Sequence, residues 1–218
     1  MEKYRFAPLK HLDINAIIFD LGGVVLDIDY QLTLRAFQRL GVEHLQEVYT
    51  FAAQDEAISR FERGQMAPAE FVSELQRLLG HGLDYVQAVQ AWNAMILPWS
   101  PQRMALLERL ALRYELYLLS NTNVLHRDAF EPALLQQHTG RALSSYFGQV
   151  YYSFELGMRK PEPRIFRHVL AHAQLDPART LFIDDNAANV AAAQAVGLAA
   201  YRIDPAHERI DELFEAES

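Results

Sequence analysis

A chain of 218 residues, half of them hydrophobic, can bury the core of one large domain or of a core domain with a smaller insert. Lysine and arginine total 20 against 28 acidic residues, a formal charge of −8, which leaves no general attraction for nucleic acid or an anionic membrane. Cysteine is absent, so disulfides and thiolate metal sites are excluded. No stretch approaches the length of a transmembrane helix, and Met1–Asp13 has scattered charge without the apolar run of a signal peptide. The expectation is a soluble cytoplasmic protein, a monomer or homodimer, with no nucleic-acid or membrane partner.

The first element is Asn15–Asp20, a short apolar run closed by a carboxylate and then two glycines, which reads as a buried strand. Val24–Ile28, rich in β-branched residues, is expected to be extended too. From about Gln31 to Met95 the pattern is helical, with no convincing strand. Within it Phe71, Leu75, Leu78 and Leu79 share one helix face, with Pro68 near the start and Gly80 at the end. Ser100 and Pro101 open another helix as cap and first turn, with Met104, Leu107, Leu110 and Ala111 as its apolar face.

Leu116–Leu119 is a second buried strand, ending at Ser120-Asn121-Thr122-Asn123, and a helix follows. Gln149–Phe154 is a third strand, ending near Glu155-Leu156-Gly157, with a helix from Pro163 to about His172. Thr180–Ile183 is a fourth, ending at Asp184-Asp185-Asn186. An Ala-rich helix then runs to Val196 and stops at Gly197, before a fifth strand at Leu198–Ile203. Strands and helices alternate from Leu97 onward, which calls for an α/β fold, a Rossmann-like doubly wound parallel sheet with helices on both faces. Residues 1–30 and 97–218 then form the core domain, and residues 31–96 an inserted α-helical cap domain.

Ligands bind beyond the carboxyl ends of the strands in such sheets. Asp20, Ser120 and the Asp184-Asp185 pair all fall at strand ends, and Lys160 lies in the loop after the third strand. Taken singly, each has an ordinary role: Asp20 as a turn residue, Ser120-Asn121-Thr122-Asn123 and Asp184-Asp185 as helix caps, Lys160 as a solvated loop lysine. Their convergence on one sheet edge is the stronger observation. Three crowded carboxylates repel unless a cation joins them, and all-oxygen ligands favour Mg²⁺. A lysine and a hydroxyl would hold phosphate oxygens. A carboxylate facing that phosphate can attack phosphorus and form an aspartyl phosphate. Elsewhere, His168 and His172 have a zinc-compatible spacing but no evident third ligand, and Trp92 and Trp99 read as packing residues.

The stretches IIFDLGGVVLD, LLSNTN, GMRKPEPRIF and LFIDDNAANV, in that order, resemble the four motifs of the haloacid dehalogenase-like hydrolase superfamily, and the helical insert resembles its small cap. Within it the resemblance narrows to bacterial sugar-phosphate phosphatases, in particular those acting on alpha-D-glucose 1-phosphate. The resemblance implies a Mg²⁺-dependent phosphomonoesterase for a small phosphorylated metabolite. Asp20 matches the nucleophile. Ser120 and Lys160 match the phosphate-holding residues, and Asn121 a position facing the substrate. Asp184, Asp185 and the backbone carbonyl of Gly22 join Asp20 at the metal. Gly22 also stands where most of these phosphatases have a second aspartate that protonates the leaving oxygen. Asp27, Asp29, Glu62 and His126 are candidates to replace it. The alternatives are an idle protein that binds a phosphorylated metabolite and, less favoured, a 2-haloacid dehalogenase.

Overall fold

The computed structural model describes residues 13–42, 56–79, 83–138 and 140–214; Gly80 and the side chains of Leu78 and Leu79 lie outside the described residues. Five parallel strands form one sheet in the order β3-β2-β1-β4-β5. They are β1 (Ala16–Phe19), β2 (Glu115–Ser120), β3 (Gln149–Tyr152), β4 (Thr180–Asp184) and β5 (Ala199–Arg202). The first strand is central and all four of its residues are buried, as expected of an uninterrupted apolar run covered on both faces. Its register places Phe19 beside both Leu118 and Ile183. Asp20, Ser120 and Asp184 therefore leave the sheet at nearly the same level.

Alternation along the strands builds two cores. Ile17, Phe19, Leu116, Leu118, Leu181 and Ile183 face one side. There they meet Met104, Leu106, Leu107 and Leu110 of the helix Pro101–Leu110. Ile18, Leu119 and Phe182 face the other side, against Ile165, Phe166 and Val169 of the helix Pro163–His172. Among the described residues four helices stand between β1 and the helix at Pro101: α1 (Tyr30–Arg39), α2 (Glu56–Phe61), α3 (Pro68–Leu79) and α4 (Tyr85–Asn93). They pack around a separate cluster that includes Leu34, Phe37, Phe61, Phe71, Leu75 and Trp92. The rings of Phe61 and Phe71 stack there with centroids 4.1 Å apart. Thr33 ties the first helix of this insertion to its last, donating to the Trp92 carbonyl and accepting from the Met95 amide. None of the described helices is long and apolar enough to cross a membrane.

The elements after the insertion are α5 (Pro101–Leu110), α6 (Val124–Gln137), α7 (Ser153–Leu156), α8 (Pro163–His172), α9 (Ala187–Ala195) and α10 (Ile210–Leu213). Three expectations need correction. Val24–Ile28 is not a strand. The amides of Val24, Val25 and Leu26 all turn back onto the Leu21 carbonyl, leaving only single bridges at Gly22–Leu26 and Ile28–Ile96. The third strand ends at Tyr152, because Ser153 begins a helical turn that Gly157 closes in the left-handed conformation. Ala111 is the exposed C-cap of α5, whose buried face takes Leu106 instead.

Candidate active site

Lys160 organises the sheet edge. The residue is 1 % exposed, and its ammonium makes three contacts: Asp20 Oδ1 at 2.7 Å, Asp184 Oδ2 at 2.7 Å and the Leu119 carbonyl at 2.8 Å. The lysine is delivered by a loop that Asn121 grips twice. The Asn121 side chain donates to the Lys160 carbonyl and accepts from the Lys160 amide, both at 2.8 Å. Asp184 is held from behind by the Asn189 amide group at 3.0 and 3.1 Å and by the Asn186 amide at 2.8 Å. Asp20 accepts from the Leu21 amide at 2.7 Å. Ser120 is buried, and Thr122 beside it exchanges two hydrogen bonds with Ser153.

Asp20, Asp184 and Asp185 bring carboxylate oxygens within 4.8 Å of one another. One ammonium does not balance three ionised carboxylates, and the field shows it. Burial, opposed by Lys160 and helped by the charges of Asp184 and Asp185, pushes the Asp20 carboxyl up to about 7. Burial and the neighbouring Asp184 also raise Asp185. Lys160 stays firmly protonated: burial works against its charge, but Asp184 and Asp20 more than offset it. An all-oxygen donor set with surplus negative charge fits Mg²⁺, which Asp20, Asp184 and Asp185 could hold. Gly23 is needed beside them. Its φ is +77°, and a Cβ there would lie 2.7 Å from Asp185 Oδ2. Gly22 has no such backbone demand, and a Cβ would only press on Ile28 Cδ1 at 3.1 Å.

A cavity of about 280 Å³ opens on this edge, with Asp20, Gly22, Ser120, Asn121 and Asp185 among its lining residues. Its other walls come from Glu62 and Trp92 of the insertion and from His126 and Arg159 of the core. Of the four groups suggested to replace the missing acid, Glu62 and His126 line the cavity, whereas Asp27 pairs with Arg103 at 2.7 Å and Asp29 caps α1. His168 and His172 stack on α8, with His172 bonded to the Tyr151 hydroxyl, and no third ligand joins them among the described residues. Trp99 is a packing residue whose indole N–H donates to the Phe130 carbonyl, but Trp92 is also cavity wall. Asn189 and Ser153 escaped the sequence reading. An asparagine five residues after a motif aspartate, one turn into the following helix, was the available signal for the first.

The chain belongs to the haloacid dehalogenase-like hydrolases: the family's model matches residues 14–197. Among named relatives, D-ribitol-5-phosphate phosphatase of Bacteroides thetaiotaomicron is 30 % identical over 190 residues, spanning 87 % of this chain and 91 % of that protein. A haloacid dehalogenase-like enzyme from the same organism, solved with magnesium and inorganic phosphate, superposes with a TM-score of 0.79 at 31 % identity, over 89 % of this chain and 96 % of its own. A predicted hydrolase of this type from Porphyromonas gingivalis gives 0.80 at 34 % identity, over 90 % and 94 % of the two chains. The superfamily expectation is thus met. For the narrower resemblance, the named relative is a D-ribitol-5-phosphate phosphatase rather than an alpha-D-glucose-1-phosphate phosphatase.

Proposed function

We propose that this phosphatase hydrolyses the phosphomonoester of a small polyhydroxylated metabolite, an open-chain polyol phosphate before an anomeric sugar phosphate, through an aspartyl phosphate on Asp20. The observation that carries the reading is the buried Lys160 bridge between Asp20 and Asp184, with Asp185 at the same cavity edge. A relative that matches most of the chain is a D-ribitol-5-phosphate phosphatase, which supports the substrate class. Residues 31–96 act as a cap domain over the cavity, the core being 1–30 and 97–218.

Asp20 attacks phosphorus as the bond from phosphorus to the alcohol oxygen breaks. Lys160 and Ser120 neutralise and orient the phosphoryl oxygens, with the Asn121 clasp fixing the lysine. Bound Mg²⁺ would supply further charge neutralisation at the phosphoryl group. The leaving alkoxide takes a proton from solvent, and water then attacks the aspartyl phosphate, giving its proton back to solvent as the bond from phosphorus to Asp20 breaks and inorganic phosphate leaves. A dehalogenase is disfavoured because attack by Asp20 on carbon needs no cation, which would leave Asp184 and Asp185 without a shared role.

The test is phosphate release from polyol phosphates, sugar phosphates and p-nitrophenyl phosphate, in Mg²⁺ and in EDTA, for the wild type and Asp20→Asn. Mg²⁺-dependent release that Asp20→Asn abolishes is expected. Release by that variant at the wild-type rate would remove Asp20 from the mechanism. Wild-type silence across the panel, with metabolite binding intact, would favour an idle binding protein.

A further inference from the structure

The cavity has a second polar region, built where the insertion meets the core. Three consecutive insertion residues dock on the segment between β3 and α8 that carries Lys160. Glu62 pairs with Arg159 at 2.9 Å, and Arg63 pairs with Glu162 at 2.5 Å. Gly64, at φ +66°, sits where a Cβ would run into the Phe154 carbonyl oxygen. A little further round, Trp92 of the insertion stacks on His126 of the core, with centroids 5.2 Å apart and planes 15° from parallel.

These two cross-boundary pairs are well packed but poorly satisfied. Glu62 Oε2 meets the Arg159 guanidinium as an ion pair without a hydrogen bond. Glu62 Oε2, Arg159 Nε, Trp92 Nε1 and His126 Nε2 are all buried, and none has a hydrogen-bond partner among the described residues. All four residues line the cavity that Asp20 lines. Buried polar atoms are normally hydrogen-bonded, so three unpaired atoms and an ion-paired carboxylate oxygen without a hydrogen bond, all on residues around one cavity, point to a ligand that completes them. The set contains an anionic acceptor, a cationic donor, an indole donor and an imidazole. Burial pulls the imidazole pKa down to about 4, so the ring is neutral and offers one donor and one acceptor nitrogen. Its Nδ1 already faces the Asn123 amide group at 3.2 Å. A hydroxyl donates and accepts at once and suits such a mixture. A second anionic group would be repelled by Glu62.

We infer that Glu62–Arg159 and Trp92–His126 form a subsite that reads the hydroxyl groups of the leaving alcohol. The inference rests on the phosphatase reading for the position of the phosphoryl group, and it names the residues that decide which phosphomonoester is taken. An alcohol without further hydroxyls leaves these four atoms without hydrogen bonds, which is the arrangement that gives strong discrimination against a deoxy analogue.

Two substrates separate the subsite from the chemistry: ribitol 5-phosphate and n-pentyl phosphate, which has the same carbon chain without hydroxyls. The wild type should prefer the first by about 100-fold or more in kcat/KM. Glu62→Gln, which keeps the shape, and Arg159→Met should each lower that preference at least tenfold, chiefly through KM for ribitol 5-phosphate. A wild-type ratio near one, or equal losses on both substrates in both variants, overturns the subsite while leaving a phosphatase in place. If the wild type releases no phosphate from either compound, the phosphatase reading fails, and calorimetric titration of the same pair decides the subsite. Hydroxyl-dependent binding that Glu62→Gln weakens supports it; equal binding of the two overturns it.

Discussion

Replacing Lys160 with methionine removes one charge and leaves three oxygens without their shared donor. The Nζ is fully buried and lies 2.7 Å from Asp20, 2.7 Å from Asp184 and 2.8 Å from the Leu119 carbonyl. Deleting one member of a buried ion pair costs about 3–5 kcal/mol, because the partner stays buried and uncompensated. The orphaned carbonyl adds about 1 kcal/mol. Methionine fills most of the lysine volume, so the cavity contribution is small. The loss is limited by protonation of one carboxylate. Asp20, already pushed up to about 7 with the lysine in place, is the group that takes the proton. Without Lys160 its pKa rises further. The folded variant then holds a proton that the unfolded chain releases, and its stability is lost as pH rises through that higher value.

The destabilisation should therefore reach about 3–5 kcal/mol at pH 8 and be smaller at pH 6. In urea, with a slope of about 3 kcal/mol per M, the midpoint falls by about 1–1.7 M at pH 8. The melts belong in EDTA, so that no cation substitutes for the ammonium. An unchanged midpoint at pH 8, or a greater loss at pH 6 than at pH 8, would refute the reasoning.

Asp20→Asn tests the same field from the other side. Because the Asp20 carboxyl is raised above its ordinary 3.8, the protein is stabilised by its protonated form at low pH and loses that stability as pH rises through about 7. In thermal melts without metal the variant should be more stable than wild type at pH 8, with the advantage vanishing near pH 4; a variant less stable at pH 8 would show that the Lys160 pairing outweighs burial. Gly23→Ala puts a Cβ on a residue at φ +77° and against Asp185 Oδ2, 2.7 Å away, so a loss of about 1–2 kcal/mol is expected by urea melt. Because the displaced group is in the carboxylate triad, the rise in melting temperature on adding Mg²⁺ should shrink as well, and an undiminished rise would take Gly23 out of the metal site's support.

The order of strands and helices was readable because each is a local matter. Apolar runs closed by polar residues gave the strands, and Ser100, Asn123 and Asn186 cap the helices that follow them. The strand-end placement of Asp20, Ser120 and Asp184 follows from parallel register, which a buried apolar strand specifies strongly. Val24–Ile28 misled because β-branched composition suggests a strand, whereas the Leu21 carbonyl gathers that backbone into a turn. Ser153–Leu156 misled because the apolar pattern does not reveal where a strand curls into a helical turn.

The sequence by itself determined the α/β alternation, the helical insertion and the acidic and basic residues that meet at the sheet edge, since those depend on short-range periodicity and motif order. Only the tertiary structure decided which partners they have. Lys160 could not be known to sit between Asp20 and Asp184, nor Asn121 to clamp it. Likewise Arg63 finds Glu162 at a sequence distance of 99 residues, and Glu62 meets Arg159 beside it. Contacts of that kind are set by how the insertion packs on the core, and no local pattern in the chain encodes the docking of two surfaces brought together only by folding.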